Sequence, residues 1–365
     1  MLLEKIVNNG SEAIINLSAL RHNLWQIRKL VPKSKIVAMI KGNGYGHGLL
    51  PIAKALEEAD AFGVACLGEA LVLCKNGINK KILLMRGFGD VAELSIAVDY
   101  NLDLVIHDMT QLAILEQVTL KKPITAWMKI DTGMHRLGFS LEEAGYVYDK
   151  LQKNSNVKKP LFFMTHLAAA DDFYNPLTQK QLEAFQKVTT NFAGQKSIAN
   201  SAGLINWSVS HADWVRPGIV LFGVSPLKDK IGSDHGLKSV MTLRSKLIAV
   251  KRIAKGEHIG YGSKWTAPEN MPVALVAIGY GDGYPWHAKN GTPILIYDTI
   301  CPLIGRVSMD MIAVDLRNKP AAKCGDYAIL WGEGLPIEHV AKWADTIAYH
   351  LLCSVTRRVE FKYLK

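Results

Sequence analysis

The chain has 365 residues, 49% hydrophobic and 21% charged, with a net charge of +10. That is ample for one large or two medium cores and excludes a disordered chain. No run reaches the ~18 apolar residues a membrane helix needs. The lysines and arginines are scattered in ones and twos, without the basic runs and stacking aromatics of a nucleic-acid binder; such a surface can instead draw in anionic ligands. The opening, M-L-L-E-K-I-V-N-N-G, lacks a long apolar segment with a small-residue cleavage site, so a cytoplasmic protein is expected. The five cysteines (Cys66, Cys74, Cys301, Cys324, Cys353) form no C-x-x-C pair and read as thiols; no metal site is expected.

In chain order, the piece Ala13–Leu17 reads as a strand that fits either of two domains, and residues 1–12 are placed beside the second. Ser18 is expected to cap a helix carrying Leu20, Leu24, Ile27 and Val31 on one face, which Pro32 ends. Eight strands are then predicted: Ile36–Ile40, Phe62–Cys66, Ile82–Met85, Leu102–Ile106, Ile124–Ile130, Leu161–Thr165, Ser197–Ala199 and Asp213–Arg216. Helical patterns lie between most of them, among them Gly68–Asn76 with Gly77 as its stop, Asp90–Val98, and Pro176–Phe192. Eight strands alternating with helices predict a (β/α)8 TIM barrel over residues 1–228, with a doubly wound open sheet as the alternative. After Ser225-Pro226 the helical periodicity fades and short strands take over: Val240–Val250, Val273–Ile278, Thr292–Ile296, Met311–Val314 and Tyr327–Leu330. Residues 229–365 therefore read as a β-rich C-terminal domain.

Chemistry in such a barrel sits where strands end. Lys41 closes the apolar strand V-A-M-I and precedes Gly42, Gly44, Gly46 and Gly48, which let backbone approach a ligand. A partly desolvated lysine is suited to Schiff-base chemistry. The loop lacks P-loop spacing and the Rossmann glycine pattern.

The stretch I-K-G-N-G-Y-G-H-G (Ile40–Gly48) resembles the cofactor-lysine motif of the alanine racemases, fold-type III pyridoxal 5'-phosphate (PLP) enzymes, whose usual form is K-A-[ND]-A-Y-G-H-G. Here both alanines are glycines. Further stretches resemble family motifs in family order: M-K-I-D-T-G-M-H-R-L-G-F, T-H-L-A, A-N-S-A-G, V-R-P-G-I, G-Y-G-S, G-Y-G-D-G-Y-P and G-R-V-S-M-D. The resemblance implies that Lys41 holds PLP and acts as one base. The second base would be Tyr261, delivered by the partner of a homodimer. Free tyrosine, with a pKa near ~10, is a poor base at neutral pH, and the family couples it through His166 to Arg216. Arg216 would face the pyridine nitrogen. Tyr45, Asn200, Ser201, Gly218 and Ile219 match the cofactor-binding positions, with the phosphate at the Gly218–Ile219 amides. Arg136 would meet the cofactor's phenolic oxygen and the substrate carboxylate, and Lys129 matches a position that some members carbamylate. Tyr280, Tyr284, Met309 and Asp310 match the lining of the substrate's approach.

Near the C-terminus the chain departs from the family pattern again, and His350 stands where a glutamate is common. Arg357 stands where many members have a tyrosine reaching the phosphate, and Glu360 replaces a proline. The function implied is interconversion of L- and D-alanine by two bases, supplying D-alanine for peptidoglycan. The alternatives are a broad-specificity amino-acid racemase, a fold-type III decarboxylase and a non-catalytic PLP carrier. G-Y-G-S and the short A-N-S-A-G argue against the decarboxylase, and the long β domain against the carrier.

Overall fold

The computed structural model describes residues 10–365, so the opening segment, residues 1–9, lies outside the described residues. Strand β1 (Glu12–Asn16) leads directly into the helix Leu17–Leu30. That helix is capped by Asn16, whose Oδ1 accepts from the Ala19 amide at 2.9 Å, and not by Ser18. The cap falls two residues early because β1 ends there. Leu20, Leu24 and Ile27 are buried as the 3.6-residue period requires.

Eight parallel strands then close into a barrel: β2 (Lys35–Met39), β3 (Ala61–Val64), β4 (Lys81–Leu84), β5 (Asp103–Ile106), β6 (Thr125–Lys129), β7 (Leu161–Met164), β8 (Gly194–Ser197) and β9 (Trp214–Val215). Closure is made by β2 against β9, with Lys35 opposite Trp214 and Ile36 opposite Val215. Strands β3 and β5 are buried end to end, as parallel strands covered on both faces must be. The TIM barrel is therefore as expected, and the open-sheet alternative is excluded.

The remaining strands are β10 (Met241–Ile253), β11 (Met271–Val276), β12 (Pro293–Ile296), β13 (Thr299–Ile304), β14 (Ile312–Asp315), β15 (Tyr327–Trp331) and β16 (Glu360–Leu364). They form one mostly antiparallel sheet ordered β11-β14-β13-β12-β15-β10-β1-β16. Strand β1 thus belongs to this second sheet, antiparallel to β10 and parallel to β16. A charge cluster around the buried Glu12 fixes that seam: its carboxylate bonds Arg244 at 2.7 Å and Lys362 at 2.5 Å. The Tyr363 hydroxyl on β16 donates to the His47 carbonyl at 3.1 Å, tying the second sheet to the turn that carries Lys41. Among the described residues, no helix is long and apolar enough to cross a membrane.

Candidate active site

Lys41 stands immediately beyond β2. The chain after it is a tight left-handed turn, not a loose loop: Gly42, Asn43, Gly44, Tyr45 and Gly46 all have positive φ, between 50 and 81°. Both glycines found in place of the family's usual alanines sit at φ 64°, where a Cβ is strained. The turn sends the Tyr45 ring back under the barrel mouth, wedged between Phe222 and Tyr349. Burial pushes its phenol pKa far above the ordinary range, so it remains a neutral O–H donor.

The barrel mouth opens into a cavity of about 810 Å³. Lys41, Tyr45, Lys129, Arg136, His166, Asn200, Ser201, Arg216 and Gly218 all line it. Ile219 does not; its side chain is fully buried beneath. With Arg86 the walls carry five cations against one carboxylate, Asp171. Such a field selects anions.

Arg216 follows β9 and is 3% exposed. Its Nη1 donates to Ser197 Oγ, and Nη2 to the carbonyls of Thr165 and Ile198. It has no carboxylate partner among the described residues, and its Nε makes no hydrogen bond there. Burial alone pushes this guanidinium down to about 10, so it is still charged at neutral pH. Lys129, at the end of β6, is also buried, without an ion pair among the described residues. Desolvation, reinforced by Arg216 and Arg136, pushes its amine down to about 8. Desolvation and the same cations hold His166 well below the ordinary imidazole range, leaving it neutral. Lys41 is lowered by burial first and by Arg136 next, with Glu69 opposing.

Opposite these cations lies a cradle of neutral donors. Gly218 N donates to Ser201 Oγ at 2.8 Å, which leaves the Ser201 hydrogen free to donate into the cavity. A Cβ at Gly218 would collide with the Tyr45 hydroxyl. Asn200 caps the helix Ser201–Asn206 through Gly203 N and holds the Leu167 carbonyl, which spaces the cradle from His166. Arg136 is carried by the turn after β6, where Asp131 Oδ1 accepts from the amides of Gly133, Met134 and His135.

The chain matches the alanine racemase N-terminal domain over residues 15–226 and the alanine racemase C-terminal domain over residues 240–363. It belongs to the alanine racemase family. A relative from Coxiella burnetii (strain RSA 493 / Nine Mile phase I), named alanine racemase, is 52% identical over 360 residues, 97% of this chain and 98% of that protein. The crystal structure of the biosynthetic alanine racemase from Pseudomonas aeruginosa superposes with a TM-score of 0.95 at 39% identity, covering 98% and 99% of the two chains. The alanine racemase from Acinetobacter baumannii gives 0.92 at 37%, covering 97% and 99%.

The family motifs of the second domain lie outside the barrel cavity of the same chain. Tyr261 stands in a short turn after Gly260 and is 72% exposed. Tyr280 and Met309 are exposed on neighbouring loops, joined by Gly281 N to the Met309 carbonyl at 2.9 Å. Asp310 is held by Arg358 Nη2 at 2.6 Å, and Arg358 Nε lies 3.2 Å from the buried Asp282. Tyr284 differs from its expected position on the approach: it is 1% exposed, stacked on Trp331, with no hydrogen-bond partner for its hydroxyl among the described residues. Within this chain it is a core residue. Arg357 is exposed and does not line the cavity.

Arg86, Tyr349, Cys353 and the carboxylate Asp171 are among the lining residues that the motifs do not mark. Arg86 follows β4 just as Lys41 follows β2, so the strand-end argument would have found it. Cys353 and Tyr349 come from the helix Ala348–Ser354 of the C-terminal region, and no local pattern signals their return to the barrel.

Proposed function

We propose that this chain interconverts L- and D-alanine with PLP, in sites shared between two copies, and so supplies D-alanine for peptidoglycan. The observation that carries this reading is a division of parts. Lys41, His166 and Arg216 line one cavity, while Tyr261 stands exposed on the other domain of the same chain. Tyr261, Tyr280 and Met309 are all exposed on that domain, and such side chains are suited to entering a second copy's cavity.

The donors suit PLP. The Tyr45 and Ser201 hydroxyls and the Ile219 amide would hold its phosphate, with the Gly218 amide turned to Ser201 Oγ and orienting that hydroxyl, over a glycine where a Cβ would meet the Tyr45 hydroxyl. The free Nε of Arg216 would face the ring nitrogen, and Lys41 would be the covalent anchor. When bound, PLP supplies an electron sink for the α-carbon that loses its proton. A buried, charged guanidinium at that place would disfavour protonation of the ring nitrogen and so weaken that sink.

Two proton carriers are needed, one on each face. Lys41 Nζ removes or returns the α-proton on its face, helped by the desolvation that favours the free amine. Tyr261 Oη of the second copy serves the opposite face, with neutral His166 beside Arg216 as its relay. Arg136 takes the substrate carboxylate. Lys129 is carbamylated in this reading: burial that lowers its amine to about 8 raises the share of free base, which would add to CO2 with release of a proton, and the product anion would sit among Arg136, Arg216 and Lys41. High-resolution density extending beyond Lys129 Nζ is the expected result; density ending at Nζ removes the carbamate.

The test of function is incubation with PLP and L-alanine in D2O, with the enantiomers resolved and deuterium scored at Cα. D-alanine carrying deuterium, lost in both Lys41→Ala and Tyr261→Phe, is expected. Deuterium in retained L-alanine alone would leave one working base and remove Tyr261 from the mechanism. Release of CO2 would point to a decarboxylase.

A further inference from the structure

Five successive residues at positive φ need a reason to stay there, and two of them, Asn43 and Tyr45, are not glycine. The turn turns two amides toward one point. Gly42 N and Asn43 N both donate to Glu69 Oε1, at 2.7 and 3.2 Å. The other oxygen, Oε2, accepts from Ala65 N at 2.9 Å. Converging backbone N–H groups of this kind form a concave anion site. Here the anion is the protein's own side chain. Glu69 lies in the first turn of the helix Leu67–Lys75, three residues after its N-terminal flank Cys66, where a glutamate ordinarily reaches back to that flank's own amide. Instead it clamps the end of β2 to the end of β3.

The same carboxylate matters electrostatically. Arg136, Arg216 and Arg86 all act on Lys41 as cations, Lys129 and His166 share the cavity, and the Cys353 thiol faces it from the C-terminal region. Glu69 is the anion that opposes them at Lys41.

We propose that Glu69 is a positioning residue for Lys41: its carboxylate fills the amide concavity of the left-handed turn, fixing where the lysine amine stands, and supplies the negative charge that offsets the surrounding arginines. The inference rests on Lys41 being the cofactor lysine, but its test does not use turnover.

The experiment compares the full-length chain, stripped of PLP, with Glu69→Gln and Glu69→Asp. Lys41 is acetylated competitively across a pH series and quantified by peptide mass spectrometry, and hydrogen exchange is followed over residues 42–46. Removing the anion favours the free amine, so Glu69→Gln should move the Lys41 titration to lower pH and raise its labelling at neutral pH about threefold. Exchange over 42–46 should quicken about tenfold as the amides lose a charged acceptor. Glu69→Asp keeps the charge on a shorter arm; it should leave the titration near that of the wild type while exchange still quickens. An unmoved titration in Glu69→Gln overturns the proposal even if exchange quickens, because a purely structural tie would loosen the turn and leave the amine alone. Loss of the deuterium result with these shifts intact would remove the alanine reading and leave the role of Glu69 standing.

Discussion

Gly218→Ala is the sharpest steric test of the phosphate cradle. Its Cβ would lie 3.0 Å from Tyr45 Cζ and closer still to Oη, inside the 3.4 Å at which ordinary contact begins. The Tyr45 ring has little room to yield, with the Phe222 centroid 4.9 Å away and that of Tyr349 at 6.1 Å. The phenol must retreat by on the order of 1 Å, and overpacking of that kind costs about 1–3 kcal/mol. A phosphate that loses one well-aligned donor to a charged acceptor gives up about 1.5–3 kcal/mol, or roughly 10- to 150-fold in affinity. The assay is PLP titration of the stripped protein, alongside thermal unfolding, for Gly218→Ala, Tyr45→Phe and the double variant. Because the clash and the lost donor meet at one hydroxyl, the two PLP penalties should fall short of adding in the double variant. Full PLP affinity and an unchanged Tm in Gly218→Ala, or strict additivity in the double variant, would refute the cradle.

Ser197→Ala removes the acceptor of the buried Arg216 Nη1; a stability loss of about 1–3 kcal/mol is expected by chemical denaturation. His47 is fully buried and held neutral, its imidazole pushed down to about 4 by desolvation despite bonds to the Tyr45 and Gly44 carbonyls. The unfolded chain takes up that proton near pH 6.5, so stability should be complete above that pH and fall as pH drops from about 6.5 to about 4. His47→Phe should flatten that slope in a pH series of denaturation midpoints. Arg358→Ala strands Asp282 and frees Asp310, loosening the loops of Tyr280 and Met309. Steady-state kinetics should show a KM for alanine raised more than kcat is lowered.

Much of this was legible because buried parallel strands read as unbroken apolar runs. Ile36–Ile40 and Leu161–Thr165 were placed to within a residue or two of β2 and β7. Strand β8, G-Q-K-S, has no such run and was shifted toward the apolar Ile198-Ala199. Strand β16 carries little strand signal because two of the five residues of E-F-K-Y-L are charged; it is held by Glu12, a partner nearly the whole chain away. Strand β13 carries little strand signal because Pro302 and the turn before it mask a hairpin with β12. In the site, Lys41 stands out at its strand end while Arg86, placed the same way after β4, does not; Cys353 reaches the cavity, and Glu69 the turn after Lys41, only through folding. Tyr284 shares a motif with Tyr280 yet packs inward on Trp331, a choice of face that spacing within a short turn does not settle.

The most direct measurement is complementation between two inactive variants, Lys41→Ala and Tyr261→Ala, unfolded together, refolded and assayed for racemisation. If each site takes its lysine from one chain and its tyrosine from the other, half the dimers are hybrids with one intact site, and about a quarter of wild-type activity returns. If each chain builds its own site, every site in the mixture lacks one base, and activity no greater than that of the separate variants would contradict the shared site.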